Sequence, residues 1–216
     1  MAQELREQAQ DDELVTARRR QIFLAVTRVL ARKSFHQASV KEIAAEAGIA
    51  AGSIYVYLQS KDEILLLVAE SMVGELVDEL PRIRREAGED PRQELLGVMR
   101  AALDIIDRYR EAFAVLNHEV RYLERNPRFR PSIKAALHPY KEALAIPLER
   151  GRELGLINFT GIASAAEILH MLLSGWAMGS DDFLAHTDKQ AYWREITGIV
   201  EGRLFTRLGD EADDKT

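Results

Sequence analysis

Two residue patterns in this chain have types and spacing suited to chemistry. Glu167 and His170 form an E-x-x-H pair, the i, i+3 spacing used by di-iron carboxylate centres in helical bundles. Such a centre needs a second E-x-x-H and two further inward carboxylates, and the sequence has no second copy. The other histidines, His36, His118, His138 and His186, are scattered, with no H-x-x-x-H pair. Cysteine is absent, so thiolate chemistry and disulfides are excluded. No glycine-rich phosphate loop follows a strand and no nucleophile elbow appears. The expectation is no catalytic residue, no metal site and no cofactor, with a metal-dependent helical-bundle enzyme as the alternative reading.

The second pattern is "AGIAAGSIYVYLQSKDEI", Ala47 to Ile64. It reads as a short apolar-aromatic helix between a glycine turn and a polar hinge. Upstream, Ser39 and Glu42 fit the S-x-x-E capping box that opens a helix. Val40, Ile43, Ala44 and Ala47 give that helix a buried stripe at i, i+3, i+4, i+7. Gly48 is placed to end it in a left-handed cap. A third helix is expected over about Ala51–Leu58, with Ile54 and Leu58 facing inward. Ser60 and Glu63 suggest a second capping box. Two short helices joined by a glycine turn make a helix-turn-helix, whose second helix enters a major groove and must be slim and not acidic. Gly52 allows close backbone approach to phosphate. Tyr55 and Tyr57 carry hydroxyls that reach phosphate while their rings pack. Ser39 and Lys61 stand at helix N-termini, where free N–H groups and the dipole favour an anion.

The elements that position these residues read as helices throughout. The first begins near Thr16 and runs to Lys33, with Ile22, Ala25, Val26, Val29 and Leu30 on one face. Residues 1–15 are polar and read as a disordered arm. A fourth helix spans about Lys61–Arg85 and is shared by both halves of the chain. Further helices are expected at Pro91–Tyr109, Glu111–Arg125, Ser132–Leu154, Ile162–Met178 and Lys189–Leu208. Pro139 and Pro147 should kink or split the third of these. "GLINFTG" is a connector and residues 209–216 a disordered tail. The domain reading is a DNA-binding domain at 16–61 and a larger helical domain at 62–208.

Composition fits a globular chain of 216 residues, 47% hydrophobic and 30% charged, rich in helix-forming Ala, Leu, Glu and Arg. Net charge is −6. Yet residues 16–61 hold eight Lys and Arg against two Glu. One basic block in an acidic chain is the footprint of a single module that meets polyphosphate. The start, "MAQELREQAQDDELV", has no signal-peptide pattern, and no apolar run approaches a membrane span. A cytoplasmic protein without membrane contact is expected.

The features "IAAEAG" and "GSIYVYLQSKDEIL", with aromatic-x-aromatic followed by S-K-D, resemble the TetR/AcrR family of bacterial transcription regulators. The block Thr16–Leu66 matches that family's DNA-binding domain in order and spacing. The resemblance implies an all-α fold of about nine helices: an N-terminal three-helix helix-turn-helix domain and a larger C-terminal helical domain for ligand and dimerisation. Carried over by position, Ser39, Ala50, Ala51, Gly52, Ser53, Tyr55, Val56, Tyr57 and Lys61 would line the DNA surface. Three positions depart from the family pattern: Ala50 and Ala51 stand where polar residues are frequent, and Leu58 where Phe is usual. Base readout would then rest on Ser53, on apolar contacts of Ala51, Tyr55 and Val56 to thymine methyls, and on DNA shape. Arg18–Arg20 could add phosphate contacts.

The resemblance further implies a homodimer through the last two helices, Ile162–Met178 and Lys189–Leu208, and hence an inverted-repeat operator in double-stranded DNA. "AFAVLNHEVRYLERNPRFRPSIKAALHPYKEAL" is loosely similar to the sixth-helix region of acyl-CoA-responsive fatty-acid-degradation repressors in that family. It implies a small lipophilic or fatty acyl-CoA effector. Asn117, His118, Arg121, Tyr122 and Tyr140 are the candidate polar ligand-binding groups, with Trp176 and Met178 as apolar walls. The overall expectation is a ligand-responsive repressor, with a DNA-binding protein lacking an effector as a further alternative.

Overall fold

The computed structural model describes residues 2–157, 161–179 and 188–205. Among them the regular structure is helical, and the fold is all-α. The elements are α1 (Ala2–Leu30), α2 (Val40–Glu46), α3 (Ala51–Ile54), α4 (Asp62–Ala87), α5 (Pro91–Arg108), α6 (Arg110–Arg125), α7 (Arg130–Glu153), α8 (Ile162–Met178) and α9 (Lys189–Ile199). A π-helical turn, Val200–Leu204, continues α9. Among the described residues no helix is long and apolar enough to cross a membrane. The C-terminal tail and part of "GLINFTG" lie outside the described residues.

Two expectations change. The first helix begins at Ala2, not near Thr16. The segment "AQELREQAQDDELV" has no Gly or Pro, and its Ala, Glu, Gln and Leu residues favour helix without needing a buried face. The predicted break at Pro139 and Pro147 does not occur: α7 is assigned as one helix through both. Each proline deletes one backbone donor, but Ala143, Leu144 and Leu148 are buried around them and hold the helix by packing.

The chain divides into two compact units. The first comprises residues 1–71 and 111–136, the second residues 72–110 and 137–216. The division falls inside α4, and again inside α7. In the first unit Ile22, Phe23, Ala25 and Val26 of α1 are fully buried, with Ile43 and Ala44 of α2, Ile54 of α3, and Ile64 and Leu65 of α4. Leu116 and Leu123 of α6 and Ile133 of α7 complete its buried apolar set. Full burial of such a side chain contributes about 1.5–3 kcal/mol, so the small module is held mainly by these contacts.

In the second unit α5 supplies Leu95, Val98, Met99 and Leu103, and α8 packs on it with Leu169, Leu173 and Trp176. Gly97 of α5 allows α4 to approach closely: a Cβ there would lie 2.6 Å from Ile83 Cγ2. Glu94 is buried, and Arg84 Nε (3.2 Å) and Arg150 donate to its carboxylate. A buried charge persists only when paired in this way.

Candidate nucleic-acid interface

The interface is built from the ends of α2, α3 and α4. Ser39 is the N-cap of α2. The Glu42 N–H donates to Ser39 Oγ at 3.2 Å, and the Ser39 N–H donates to Glu42 Oε2 at 3.1 Å, so the first capping box forms as expected. Gly48 has φ +66°, the left-handed region that ends α2. Gln21 of α1 fixes that end, its Nε2 donating to the Ala47 carbonyl at 2.5 Å.

α3 is shorter than the spacing suggests. The helix itself ends at Ile54, and turn bonds carry the chain on: Val56 N–H to Ser53 O at 3.3 Å, and Tyr57 N–H and Leu58 N–H to Ile54 O at 2.9 and 2.8 Å. Ile54 and Leu58 are buried and anchor the segment. Ala51, Gly52 and Ser53 are exposed, Tyr55 is 47% exposed, Val56 76% and Tyr57 half-buried. An exposed Val and Tyr beside small residues give a slim convex ridge with apolar and hydroxyl groups outward. Ala50 is the N-cap of α3 and supplies no side-chain cap, leaving the first N–H groups of the helix to other acceptors.

The second expected capping box does not form as predicted. Glu63 reaches back to the Gln59 N–H, at 2.7 Å from Oε2, while Ser60 Oγ is buried without a hydrogen-bond partner. α4 begins at Asp62, so the residue entering it is Lys61, and Ser60 sits one position too early to cap. Lys61 Nζ donates to the His36 carbonyl at 2.8 Å and lies 4.9 Å from the Phe35 ring centroid. Its ammonium is held at the module's surface by these contacts.

The basic block is extensively paired. Arg28 Nε (2.6 Å) and Arg32 (2.5 Å) bind the two oxygens of Glu46, and Lys33 pairs with Glu42. Hydrogen bonds from Arg32 and Arg28 hold the Glu46 carboxyl below the usual carboxylate value; those from Lys33 and Ser39 do the same to Glu42. Arg19 pairs with Glu70 and Arg18 donates to Gln21. Lys41, exposed on α2, stands outside these pairs. Sequence reasoning missed it because a charge count cannot tell a paired cation from an unpaired one.

The candidate ligand residues do not share one unit. Asn117, His118, Arg121 and Tyr122 belong to the first, Tyr140 and Trp176 to the second. Asn117 is half-buried; His118, Arg121 and Tyr122 are exposed. Tyr140 Oη lies 2.9 Å from His170 Nδ1, and Ser174 Oγ lies 3.3 Å from His170 Nε2. Burial raises the Tyr140 phenol pKa, the nearby Glu167 adding to it, so the hydroxyl stays protonated. Burial also lowers the His170 pKa. Trp176 donates to Asp107 and is a structural peg between helices, and Met178 is exposed. Glu167 is exposed, and among the described residues there is no group of three or more potential metal ligands.

Residues 22–68, the segment just described, match the family model "Bacterial regulatory proteins, tetR family". The match covers the helix-turn-helix module and the start of α4. Over 118 residues it is 29% identical to the HTH-type transcriptional regulator HbdR of Aromatoleum sp. (strain CIB), covering 55% of this chain and 51% of that protein. Over 60 residues it is 35% identical to the fatty acid metabolism regulator protein of Bacillus subtilis (strain 168), covering 28% of this chain and 31% of that one. The chain thus spans about half the length, or less, of these curated tetR-family relatives. The crystal structure of the transcriptional regulator FadR from Bacillus subtilis in complex with stearoyl-CoA superposes with a TM-score of 0.70 at 22% identity, covering 83% of this chain and 96% of that one. The fold of that regulator is therefore shared past the matched module, into the C-terminal helices.

Proposed function

We propose that this protein is a ligand-responsive transcriptional regulator, acting as a repressor, that binds an inverted-repeat operator in double-stranded DNA as a homodimer. The observation that carries this reading is the α3 ridge: Ser53, Tyr55 and Val56 outward, Ile54 and Leu58 locked inward. Ala50, Ala51 and Gly52 keep the ridge slim, and Ser39, Tyr57 and Lys61 supply the flanking phosphate contacts.

Dimerisation through α8 and α9 is supported by the exposed apolar stripe of α8. Ile168 is 61% exposed and Met171 66%, with Met178 in line at helical spacing. Large apolar groups in a row on a helix face mark an interaction surface. The effector proposed is a small lipophilic molecule of the fatty acyl-CoA type, whose binding releases DNA. The names of the matched Bacillus subtilis proteins, one a fatty acid metabolism regulator and one bound to stearoyl-CoA, support that class. The protein would work in the cytoplasm.

Native mass spectrometry of the purified protein tests the assembly and the effector together. A dimer with an added mass the size of a CoA thioester or fatty acid is expected. A stable monomer would overturn the dimeric mechanism. Selection from a random-sequence duplex pool then tests DNA binding: enrichment of inverted repeats is expected, and no enrichment would sink the reading.

A further inference from the structure

Residues 111–136 lie far from the helix-turn-helix in sequence, yet they form one compact unit with it. Two of their polar contacts reach residues that flank the helix-turn-helix, Glu63 at the entry into α4 and His36 before α2. Glu63 is shared there: its Oε2 accepts from the Gln59 N–H at 2.7 Å, and its Oε1 accepts from Arg128 at 3.4 Å. The neighbouring Lys61 is held by the His36 carbonyl, and His36 Nε2 lies 3.9 Å from Glu119 Oε1. That oxygen is also 3.0 Å from His118 Nδ1. The residues on both sides of Asp62 are therefore reached from α6 and the turn after it.

This grip matters because the entry turn lacks its own serine cap, Ser60 Oγ having no partner. The Glu63 bond to Gln59 holds the chain just after Leu58, which anchors the recognition ridge. Arg128 is set in place by its buried neighbour Phe129 and by Ile133, and its guanidinium lies 5.1 Å from the Phe129 ring centroid. Arg128 and Tyr57, a DNA-facing candidate, border one open groove of about 280 Å³ with Arg19 and Glu70. We propose that Arg128 and Glu119 are positioning residues for DNA recognition: they hold the α3–α4 turn through Glu63 and His36 without touching DNA. This rests on the DNA-binding reading above.

The test uses the full-length protein, the duplex it enriches from a random pool, and a scrambled duplex of the same length. Arg128→Glu places a second carboxylate beside Glu63 and drives it off the Gln59 N–H. Loss of such a cap is expected to weaken the selected duplex about tenfold and the scrambled one less than about twofold. Glu119→Gln should weaken the selected duplex about two- to threefold, as for an exposed pair. In a Glu63→Gln background the amide oxygen still accepts from Gln59 but no longer repels the new carboxylate. There Arg128→Glu should cost less than about twofold. Circular-dichroism melting confirms that each variant folds.

Equal losses on both duplexes, or an undiminished loss in the Glu63→Gln background, would mean that Arg128 acts on phosphate directly and would overturn the inference. A selected duplex bound equally by all variants would overturn it too, leaving the regulator reading intact. No enrichment by the wild-type protein would overturn both.

Discussion

Trp176 Nε1 donates to Asp107 Oδ1 at 2.8 Å, and Lys189 Nζ donates to the other oxygen of the same carboxylate, also at 2.8 Å. One side chain of α5 thus ties α8 to the start of α9. Arg110 adds a hydrogen bond to the Trp176 carbonyl at 2.6 Å and lies 5.1 Å from its ring centroid. Burial pushes the Asp107 carboxyl up, but the Lys189 and Trp176 hydrogen bonds outweigh it and hold the group below its ordinary value. Asp107→Ala should cost about 1–2 kcal/mol, because it orphans the partly buried Trp176 donor and leaves the Lys189 ammonium only Asp104, at 3.2 Å. Urea unfolding should show a lower midpoint with an unchanged slope. An unchanged midpoint would show that α8 and α9 do not depend on this carboxylate.

His170 gives the second unit a pH dependence with a definite sign. Burial disfavours its charged form, so the folded pKa lies below the ordinary histidine value of 6.5, against a rise from Glu167 and a further lowering by Lys141. Between the folded value and 6.5 the unfolded chain binds more protons, so stability falls as pH drops through that window. Thermal unfolding at pH 7.5 and 5.5 should show a lower Tm at the acid value, and His170→Asn should flatten the difference. An equal acid shift in the variant would assign it to other groups.

The α1–α2 ion pairs respond at lower pH. The Glu42 and Glu46 pKa values are depressed below 4.5 in the fold, so their contribution is present above the unfolded value and is lost as pH falls through the folded ones. Glu46→Gln should therefore lower stability at pH 7 and have little effect near pH 3. The pairs are exposed and screened by solvent, so the effect is small. Comparison of melting curves at the two pH values decides the matter.

On the recognition ridge, Val56→Ser removes an exposed apolar contact and leaves Ile54 and Leu58 in place. Affinity for the selected duplex should fall by about 1 kcal/mol while binding to scrambled duplex is unchanged. Lys41→Ala, in contrast, should weaken both duplexes alike and reduce the slope of log K against log salt by about one. Salt titrations of the two variants separate base reading from phosphate contact.

If the proposed dimer forms through α8, Ile168→Glu with Met171→Glu should convert it into a monomer, as seen by sedimentation, because two like charges would face their counterparts across an isologous contact. A dimer that survives both changes would place the interface elsewhere.

Local rules carried the sequence reading where a residue's partner lies three or four positions away. The Ser39–Glu42 box and the Gly48 cap are legible because both partners sit in the same short stretch. The same S-x-x-E pattern at Ser60 and Glu63 misleads, since one position of slip in the helix start sends Glu63 to Gln59 and leaves the serine unused. The ionic pairing of the basic block escaped because Arg28 and Glu46 are brought together only by α1 packing on α2. The grouping of Asn117 to Tyr122 with Tyr140 and Trp176 assumed one domain, whereas α6 contributes Leu116 and Leu123 to the core of the unit that holds the helix-turn-helix. Only tertiary contact decides which core an amphipathic helix joins.

Glu42, Glu46 and Glu70 pair with Lys33, Arg28, Arg32 and Arg19, four of the eight Lys and Arg between residues 16 and 61. Indiscriminate attraction to DNA scales with the cations a protein presents to phosphate, so such pairing lowers it. For the proposed regulator, weaker attraction means that decoy sequence competes less for each copy, and fewer copies per cell keep a single cognate site filled.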